Sequence, residues 1–396
     1  MLRIALVCLH TSPADEPGSG DAGGMNVVVL HQARSLASLG HRVDIVTRRS
    51  TPSSAASIAL DERLTLRLID AGPAHPIAKG DHEAVIDDFA RELAALGPYD
   101  VMHSHHWFSG MAALPVARAQ GIPHVQSFHS IAADDSTPLS EGERAESGGR
   151  MAGESWLARE SDAIVAVSEA EALTIRHRLG GMSQRIRVVT PGVDSAAFAP
   201  RSEADEPSEP YAVVAARLQP LKGLDLAIEA IAAMHADIRP RLIVSGDASA
   251  DFEGYVDDLR ALATSRGIGD SVEFIGPQSR AQLATLFRHA RVVLIPSHSE
   301  TYGLVALEAA ASAVPVVAAA AGGLREAVVD GETGRVLESR DPHVWATAIT
   351  ELLTNTRGAD ALSQNARQRA ETLSWLRSAE GLLAVYVSLE PMPDVA

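Results

Sequence analysis

The sequence predicts an α/β protein built from two doubly wound, Rossmann-like domains. Short apolar runs, typical of buried parallel strands, alternate along the chain with longer segments of helical periodicity. This alternation stops at an acidic, proline-rich segment, residues 200–210, and then starts again. Several strands end in polar residues, which indicates a ligand site at the carboxyl ends of the strands.

The length of 396 residues and the apolar content of 46% suffice for two cores of ordinary size. We place an N-terminal domain at residues 1–199, a linker at 200–210 and a C-terminal domain at 211–396. A last helix at about 375–389 would be able to pack back on the N-terminal domain.

The net charge of −17 argues against nucleic acid or an anionic membrane as an extended partner. Cys8 is the only cysteine, so no intramolecular disulfide is expected. There is no basic segment before an apolar core at the N-terminus and no apolar run near twenty residues, so no membrane span is predicted and the cytoplasm is the expected location.

The predicted elements follow the periodicity and the glycine and proline signals. Strands are predicted at residues 4–9, 43–47, 64–69, 101–103, 124–127, 163–167, 186–189, 211–215, 241–245, 272–275, 292–295 and 315–319. Helices are predicted at about 26–39, 83–96, 169–179, 224–235, 345–353 and 375–389, and from about Gly303 onward. The polar, acidic and glycine-rich composition of residues 132–153 predicts a loop that precedes a helix.

The strand at residues 292–295 leads into a turn that opens a helix, which predicts a phosphate site. The turn can supply the amides of Thr301, Tyr302, Gly303, Leu304 and Val305. The carboxylates of Glu300 and Glu308 flank these amides and can reach a polyhydroxy ligand whose diphosphate lies between them. Glutamates are also common on helices, so this pair alone does not establish a site.

Arg217 and Lys222 lie on the turn after the strand at residues 211–215. Arg as a fork and Lys as a point charge are what a diphosphate needs. The alternative for each is an ordinary surface cation.

Gly18, Gly20 and Gly23 satisfy the G-x-G-x-x-G pattern, which would suit a nicotinamide-dependent oxidoreductase. The first glycine, however, comes about eight residues too late after the strand. We therefore interpret the loop as backbone that approaches a substrate, and Gly24 as a residue that leaves room for it.

Histidines cluster after two strands, at positions 103, 105 and 106 and at His129. No His or carboxylate completes a zinc pattern at helical spacing, so no metal is expected. His129 could donate to a ligand hydroxyl or stabilise positive charge through its backbone carbonyl; the alternative is a hydrogen-bonded supporting histidine.

Together these motifs resemble the retaining glycosyltransferases of family GT4, which have the GT-B fold of two Rossmann-like domains facing a central cleft. The resemblance covers nearly the whole chain. It is carried by residues 10–13, 17–27, 103–110, 217–222, 296–308 and 331–334.

The resemblance implies how the donor, a nucleotide sugar, is bound and activated. Arg217 and Lys222 would hold the diphosphate, Glu308 the ribose and Glu300 the transferred sugar, with Gly24 against the donor phosphate. Catalysis would rest on these two cations, Glu300 and His129.

For the acceptor, the resemblance implies a small phosphorylated polyol, and the N-terminal loop favours family members that transfer N-acetylglucosamine from UDP-GlcNAc to inositol phosphate in mycothiol biosynthesis. The implied acceptor residues are His10, Asp21, Asn26, Lys79, His106, Ser130 and Arg150. Those members have Tyr in place of His106 and Thr in place of Ser130, which leaves the acceptor less defined than the donor. An isolated Arg150 would otherwise be read as a surface residue.

The family is thought to react by same-face attack, with retention and without a protein nucleophile. No Asp-x-Asp motif is placed to bridge the phosphates, so neither a metal nor another cofactor is expected. The alternative within the family is a transferase for a lipid-linked or polymeric sugar. A homodimer is compatible with the sequence and is not required by it.

Overall fold

The computed structural model describes residues 1–16, 22–52, 55–133, 137–138, 149–202, 209–248, 252 and 254–389. Within these ranges the chain forms one eight-stranded and one six-stranded sheet. The first sheet ends before the predicted linker and the second begins after it. Two separate sheets with helices around them confirm the predicted α/β fold.

The first sheet is parallel apart from one pair of strands, β3 and β4. Its strands are β1 Arg3–Cys8, β2 Arg42–Arg48, β3 Ser57–Asp61, β4 Leu64–Ile69, β5 Val101–His105, β6 His124–Ser127, β7 Ala163–Ala166 and β8 Ile186–Val188. Their order is β3-β4-β2-β1-β5-β6-β7-β8.

The second sheet is parallel throughout. Its strands are β9 Tyr211–Ala215, β10 Arg241–Ser245, β11 Val272–Gly276, β12 Val292–Ile295, β13 Val316–Ala319 and β14 Arg335–Leu337. Their order is β11-β10-β9-β12-β13-β14. The strand order reverses between β1 and β5 in the first sheet and between β9 and β12 in the second, and a ligand crevice opens at such positions in α/β sheets.

Helices cover the faces of both sheets. They are α1 Gly24–Ser38, α2 Ile86–Ala94, α3 Trp107–Gln120, α4 Arg150–Glu160, α5 Glu169–Arg178, α6 Leu224–Ala233, α7 Tyr255–Ser265, α8 Arg280–His289, α9 Leu304–Ala311, α10 Leu324–Ala327, α11 Pro342–Thr354, α12 Thr356–Thr372 and α13 Trp375–Ser388. Short 3₁₀ helices include Lys79–Val85 before α2 and Pro220–Lys222 before α6. In the described part of the chain, no helix is both long and apolar enough to cross a bilayer.

The last helix, α13, lies on the first sheet although it follows the second in sequence. Its Leu382 and Tyr386 are buried with Ile4 and Leu6 of β1. The Tyr386 hydroxyl lies 2.7 Å from Nδ1 of His103 on β5. Helix α13 is therefore anchored to the first sheet by both packing and a buried hydrogen bond.

Several details differ from the predicted elements, and the helices α3, α7, α8, α10 and α12 were not predicted. The short strands β3 and β14 were not predicted; β3 is a mostly exposed edge strand whose apolar run, Ile58-Ala59-Leu60, is only three residues long. The single helix predicted at residues 83–96 is a 3₁₀ helix followed by α2. The loop predicted at 132–153 is wrong at its end, because α4 begins at Arg150.

Candidate active site

A cavity of about 530 Å³ lies where the carboxyl ends of the two sheets meet. The first sheet contributes residues that follow β1, β5 and β6, and the second contributes residues that follow β9 and β12. The predicted residues that line it are His10, Gly24, Asn26, Lys79, His106, His129, Ser130, Arg217, Lys222, Glu300, Thr301, Tyr302, Gly303, Leu304, Val305 and Glu308. The structure thus brings these predicted donor and acceptor residues to one place.

The turn between β12 and α9 is fixed by three glycines. Gly303 caps α9 with φ of +110°, a conformation that other residues rarely adopt. A Cβ atom at Gly322 would lie 2.2 Å from the Glu300 carbonyl oxygen, and one at Gly323 would lie 2.2 Å from that of Thr301. Because these glycines allow close backbone contact, the turn presents the N-terminus of α9 to the cavity, where an anion is favoured.

Lys222 and Glu300 form an ion pair at the edge of the cavity, with Nζ 2.6 Å from Oε1. The next residue, Gly223, has φ of +63° and packs against the Pro296 carbonyl, where a Cβ would lie 2.2 Å from the oxygen. The turns after β9 and β12 therefore support each other, and each supplies one partner of the pair.

The charge of the cavity is opposite to that of the whole chain. Its described lining contains five cationic and only two acidic side chains: Lys79, Arg178, Arg217, Lys222 and Arg280 against Glu300 and Glu308. Because the chain carries a net charge of −17, this local excess of positive charge is a specific feature of the site. It suits an anionic ligand.

Glu308 is buried on α9 and pairs with Arg280, the first residue of α8, at 2.6 Å. Burial raises the pKa of the Glu308 carboxyl, and the charge and hydrogen bond of Arg280 oppose that rise. Arg280 was missed in the sequence. Its position could have indicated a role, because a cation in the first turn of a helix is unfavourable next to the positive end of the helix dipole and is stabilised there by an acidic partner.

The N-terminal domain reaches the cavity through the start of α1. A Cβ atom at Gly24 would lie 3.4 Å from Cδ1 of Leu304, so the two domains nearly touch at this point. Asn26 is buried, and its amide nitrogen donates to the Thr11 hydroxyl at 2.9 Å and to the Ser12 carbonyl at 2.7 Å. Asn26 thus braces the loop between β1 and α1. Asp21, Gly18 and Gly20 lie outside the described residues.

Arg150 does not line the cavity but supports a residue that does. It is 1% exposed, which contradicts the reading as a surface residue. Its Nε donates to Glu154 Oε1 at 2.9 Å, and its Nη2 donates to the Ser130 hydroxyl at 3.0 Å. Lys79, at the start of a 3₁₀ helix, lines the same side of the cavity.

The rings of His10 and His106 lie in contact, with centroids 4.3 Å apart and their planes tilted by 41°. Burial, together with nearby His10, Lys79 and Arg150, holds the pKa of His106 well below its usual range. Burial does the same to the pKa of His10, helped by the charges of Lys79 and Arg150 among others. His106 has φ of 70° and ψ of 156°, a conformation that costs about 1–3 kcal/mol in a residue other than glycine.

His129 has the second strained backbone of the site, with φ of 60°. Burial lowers the pKa of its ring to about 4, so the ring is neutral near pH 7. Nε2 of His129 lies 2.9 Å from Nδ1 of His105, so one of the two neutral rings donates its N–H to the other. The His129 carbonyl accepts a hydrogen bond from the Thr301 hydroxyl of the other domain at 2.7 Å.

Among the residues that the structure describes, no group of three or more His, Cys, Asp or Glu side chains is arranged to hold a metal ion. His103, which belongs to the histidine cluster, is engaged by Tyr386 and by Ser127, whose hydroxyl lies 3.0 Å from Nε2. These hydrogen bonds are those of a buried histidine with a structural role.

Solved structures share this architecture. Sucrose-phosphate synthase from Thermosynechococcus elongatus is 25% identical, with a TM-score of 0.88 over 98% of this chain and 99% of its own. Anabaena HepE, solved with UDP and glucose, is 19% identical, with a TM-score of 0.77 over 98% of this chain and all of its own. The protein has the GT-B glycosyltransferase fold.

Family models and curated relatives cover most of the sequence. Residues 23–192 match the glycosyl transferase 4-like domain and residues 197–369 match the glycosyl transferases group 1. D-inositol 3-phosphate glycosyltransferase from Stackebrandtia nassauensis is 37% identical over 97% of this chain and 91% of its own. D-inositol 3-phosphate glycosyltransferase 1 from Catenulispora acidiphila is 38% identical over 98% and 96%.

The chain belongs to the GT4 family of glycosyltransferases, together with these relatives. The predicted family and enzyme class are confirmed. The alternative of a nicotinamide-dependent oxidoreductase is wrong, because both halves of the chain match glycosyltransferase models.

Proposed function

We propose that the protein transfers N-acetylglucosamine from UDP-GlcNAc to an inositol phosphate, with retention at the anomeric carbon and without a metal ion. The observation that carries the proposal is the position of Arg217, Lys222 and the N-terminus of α9 around one cavity, with Gly24 of the other domain opposite. The names of the relatives supply the acceptor class.

The donor side follows from the charge that develops in the reaction. Breaking the anomeric C–O bond leaves negative charge on the diphosphate, and preorganised cations and amides stabilise that charge in the transition state. Arg217, Lys222 and the amides at the start of α9 would take this role. The carboxylates of Glu300 and Glu308 would bind hydroxyls of the transferred sugar and of the ribose.

Metal-independent chemistry is proposed on the same ground. The two side-chain cations and the helix N-terminus supply positive charge where a divalent ion would otherwise bridge the phosphates. The acceptor hydroxyl would attack from the face that the diphosphate leaves, and the leaving phosphate would take its proton. The strained His129 carbonyl lies on the first-sheet side of the cavity, where it could stabilise positive charge on the sugar ring.

On the acceptor side, a phosphate would lie near Lys79 and the Ser130 hydroxyl, which Arg150 orients. The neutral rings of His10 and His106 would contact the polyol. His106 stands where inositol-phosphate members of the family have Tyr. The length and protonation state of its side chain would therefore affect which acceptor this chain binds.

A ligand screen tests the proposal. UDP-, GDP- and ADP-sugars are compared for protection against thermal unfolding, with and without 1D-myo-inositol 3-phosphate, because a ligand that binds only the folded state stabilises it. UDP-GlcNAc should protect most, and the product's anomeric configuration, measured by NMR, should match that of the donor. Protection by another nucleotide class alone, or an inverted product, would contradict the proposal.

A further inference from the structure

Ser168, Thr301 and His129 form a chain of hydrogen bonds across the cleft. The Thr301 hydroxyl donates to the His129 carbonyl at 2.7 Å, and the Ser168 hydroxyl donates to the Thr301 carbonyl at 2.7 Å. Thr301 belongs to the second sheet's domain and the other two residues to the first. One residue of the donor-side turn is therefore tied to the opposite domain through both its side chain and its backbone.

The residue that Thr301 holds is conformationally strained. A non-glycine residue at φ of 60° costs about 1–3 kcal/mol and persists only where its surroundings hold it. His129 is held at its ring by His105 at 2.9 Å and at its carbonyl by Thr301. Its backbone N–H favours the ionised form of the buried Glu171 carboxyl. Of these three contacts, the one to Thr301 comes from the other domain.

Ser168 is itself in a well-defined position. It is fully buried and caps α5, where its hydroxyl oxygen accepts a hydrogen bond from the Glu171 N–H at 3.0 Å. The same hydroxyl donates its proton to Thr301. A rigid helix end of the first domain thus fixes the Thr301 backbone, and the Thr301 side chain fixes His129.

We propose that the Thr301 hydroxyl is a positioning group that couples the contact between the two domains to the conformation of His129 and of Ser130, which follows it. The inference rests on the proposed function. With the hydroxyl present, His129 and Ser130 keep their positions on the acceptor side of the cavity only while the turn between β12 and α9 contacts the N-terminal domain. Without it, the strained segment relaxes and acceptor attack is misaligned.

The expected consequence is a change in which nucleophile reacts. In transfer, the acceptor hydroxyl bonds to the anomeric carbon and UDP leaves. In hydrolysis, the oxygen of water bonds to the anomeric carbon and UDP leaves. The sugar is released with a hydroxyl group at that carbon, and the second proton of the water is lost to solvent. Misplacing the acceptor should slow the first reaction without slowing the second.

The test compares Thr301→Val, which keeps the shape and removes the hydroxyl, with Thr301→Ser, which keeps the hydroxyl. Rates of UDP release and of glycosylated product are measured with UDP-GlcNAc and 1D-myo-inositol 3-phosphate. For Thr301→Val we expect kcat for transfer to fall roughly 10- to 100-fold, as for a misplacement of about 1 Å. The donor KM should stay nearly constant, and the fraction of UDP released without product should rise. Thr301→Ser should retain most of the transfer rate.

Glu326→Gln is the matched control. The Glu326 carboxylate accepts hydrogen bonds from the Glu169 and Ala170 N–H groups at 2.9 Å each, so it also joins the domains, and these hydrogen bonds involve neither Thr301 nor His129. It should leave the hydrolysed fraction unchanged. If it raises that fraction as much as Thr301→Val does, general loosening of the domain contact is the cause and the proposal is overturned.

Two further measurements keep the result decisive. If Thr301→Val does not fold, Ser168→Ala should show the same shift toward hydrolysis, and its absence would overturn the proposal. A crystal structure of Thr301→Val, or of Ser168→Ala in its place, should show His129 outside the positive-φ region, and an unchanged His129 would also overturn it. If the wild-type protein transfers no sugar, the proposed function is contradicted and not the role of Thr301. The conformation of His129 in the variant crystal structure can still be examined, because it does not depend on transfer.

Discussion

Lys222 Nζ lies 2.6 Å from Glu300 Oε1, and the Ser297 hydroxyl donates to the same carboxylate oxygen at 3.0 Å. The Lys222 and Glu300 side chains are only 15% and 20% exposed. A donor diphosphate would therefore meet a lysine whose position is already set by a carboxylate, and a carboxylate whose charge is already compensated. Loss of either partner exposes the ligand to an uncompensated charge.

Replacing Lys222 with alanine should reduce turnover strongly. The substitution removes a cation near the leaving group and leaves the Glu300 carboxylate without its partner, so kcat should fall by about 10²–10³-fold. Initial rates of UDP release with confirmed substrates measure the effect. Arg325→Ala, which breaks an exposed pair with Glu338, is the control and should change kcat little. Unchanged turnover in Lys222→Ala would remove this residue from the mechanism.

Replacing Lys79 with glutamine should act on the acceptor alone. A hydrogen bond to a charged group contributes about 1.5–3 kcal/mol, so the KM for inositol phosphate should rise roughly 10-fold or more while the donor KM stays unchanged. Steady-state kinetics with each substrate varied in turn measure both constants. Arg91→Gln, an exposed cation on α2, is the control. Equal use of unphosphorylated inositol by the wild type would contradict a phosphate site at Lys79.

Replacing Arg150 with methionine should destabilise the fold. Arg150 and Glu154 are 2% and 1% exposed in their side chains, and removal of one partner of a buried ion pair typically costs about 3–5 kcal/mol. Arg150→Met combined with Glu154→Leu should recover much of that loss, since no buried charge remains. Urea unfolding of the single and double variants measures the difference. Equal instability of both variants would show that packing, and not charge, makes this position important.

Much of the fold could be predicted because buried parallel strands have a strong sequence signal. Strands β4, β6, β9, β10 and β12 match their predicted bounds. The edge strand β3 has an apolar run of only three residues, Ile58-Ala59-Leu60, which is too short to stand out as a buried strand. The start of α4 was missed because its first turn, at residues 150–153, contains a charged residue, Arg150, and a glycine, Gly153, and its buried face is evident only from the ion pair of Arg150 with Glu154.

Many of the residues that line the cavity were predicted from the sequence, but the side-chain pairings among them were not. Polar residues after strands pointed to Arg217, Lys222 and Glu300, since parallel strands bring their carboxyl ends together. That Glu308 pairs with Arg280 depends on where α8 begins relative to α9, which no local pattern specifies. The contact of Thr301 with His129 joins residues 172 positions apart in different domains, and periodicity within each domain carries no information about it.

Chelation should leave the enzyme active. If Arg217 and Lys222 neutralise the diphosphate, dialysis against EDTA should preserve turnover. Added Mg²⁺ or Mn²⁺ should change turnover no more than KCl does at the same ionic strength, because both salts screen charges. UDP release is followed before and after dialysis, with KCl at matched ionic strength as the control. Activity that disappears with EDTA and returns only with a divalent ion would contradict a metal-independent mechanism.

Glu171 should make stability depend on pH. Its side chain is buried, and burial raises the pKa of its carboxyl from 4.5 to about 7, while the N–H groups of Val167 and His129 oppose that rise. Between these two values the folded protein keeps a proton that the unfolded chain has lost. The stability that Glu171 contributes is therefore complete below about pH 4.5 and is lost as the pH rises through 7.

The comparison of wild type with Glu171→Gln isolates this effect, because other titrating groups cancel. The free energy of unfolding of Glu171→Gln minus that of the wild type should rise by roughly 3 kcal/mol from pH 4.5 to 7.5, since each pKa unit corresponds to about 1.4 kcal/mol. Urea unfolding at a series of pH values measures it. Glu160→Gln is the control: Arg118 lowers the pKa of the exposed Glu160 carboxyl, so the same difference should not rise there. A flat difference for Glu171→Gln would mean that this carboxyl titrates as it does in water.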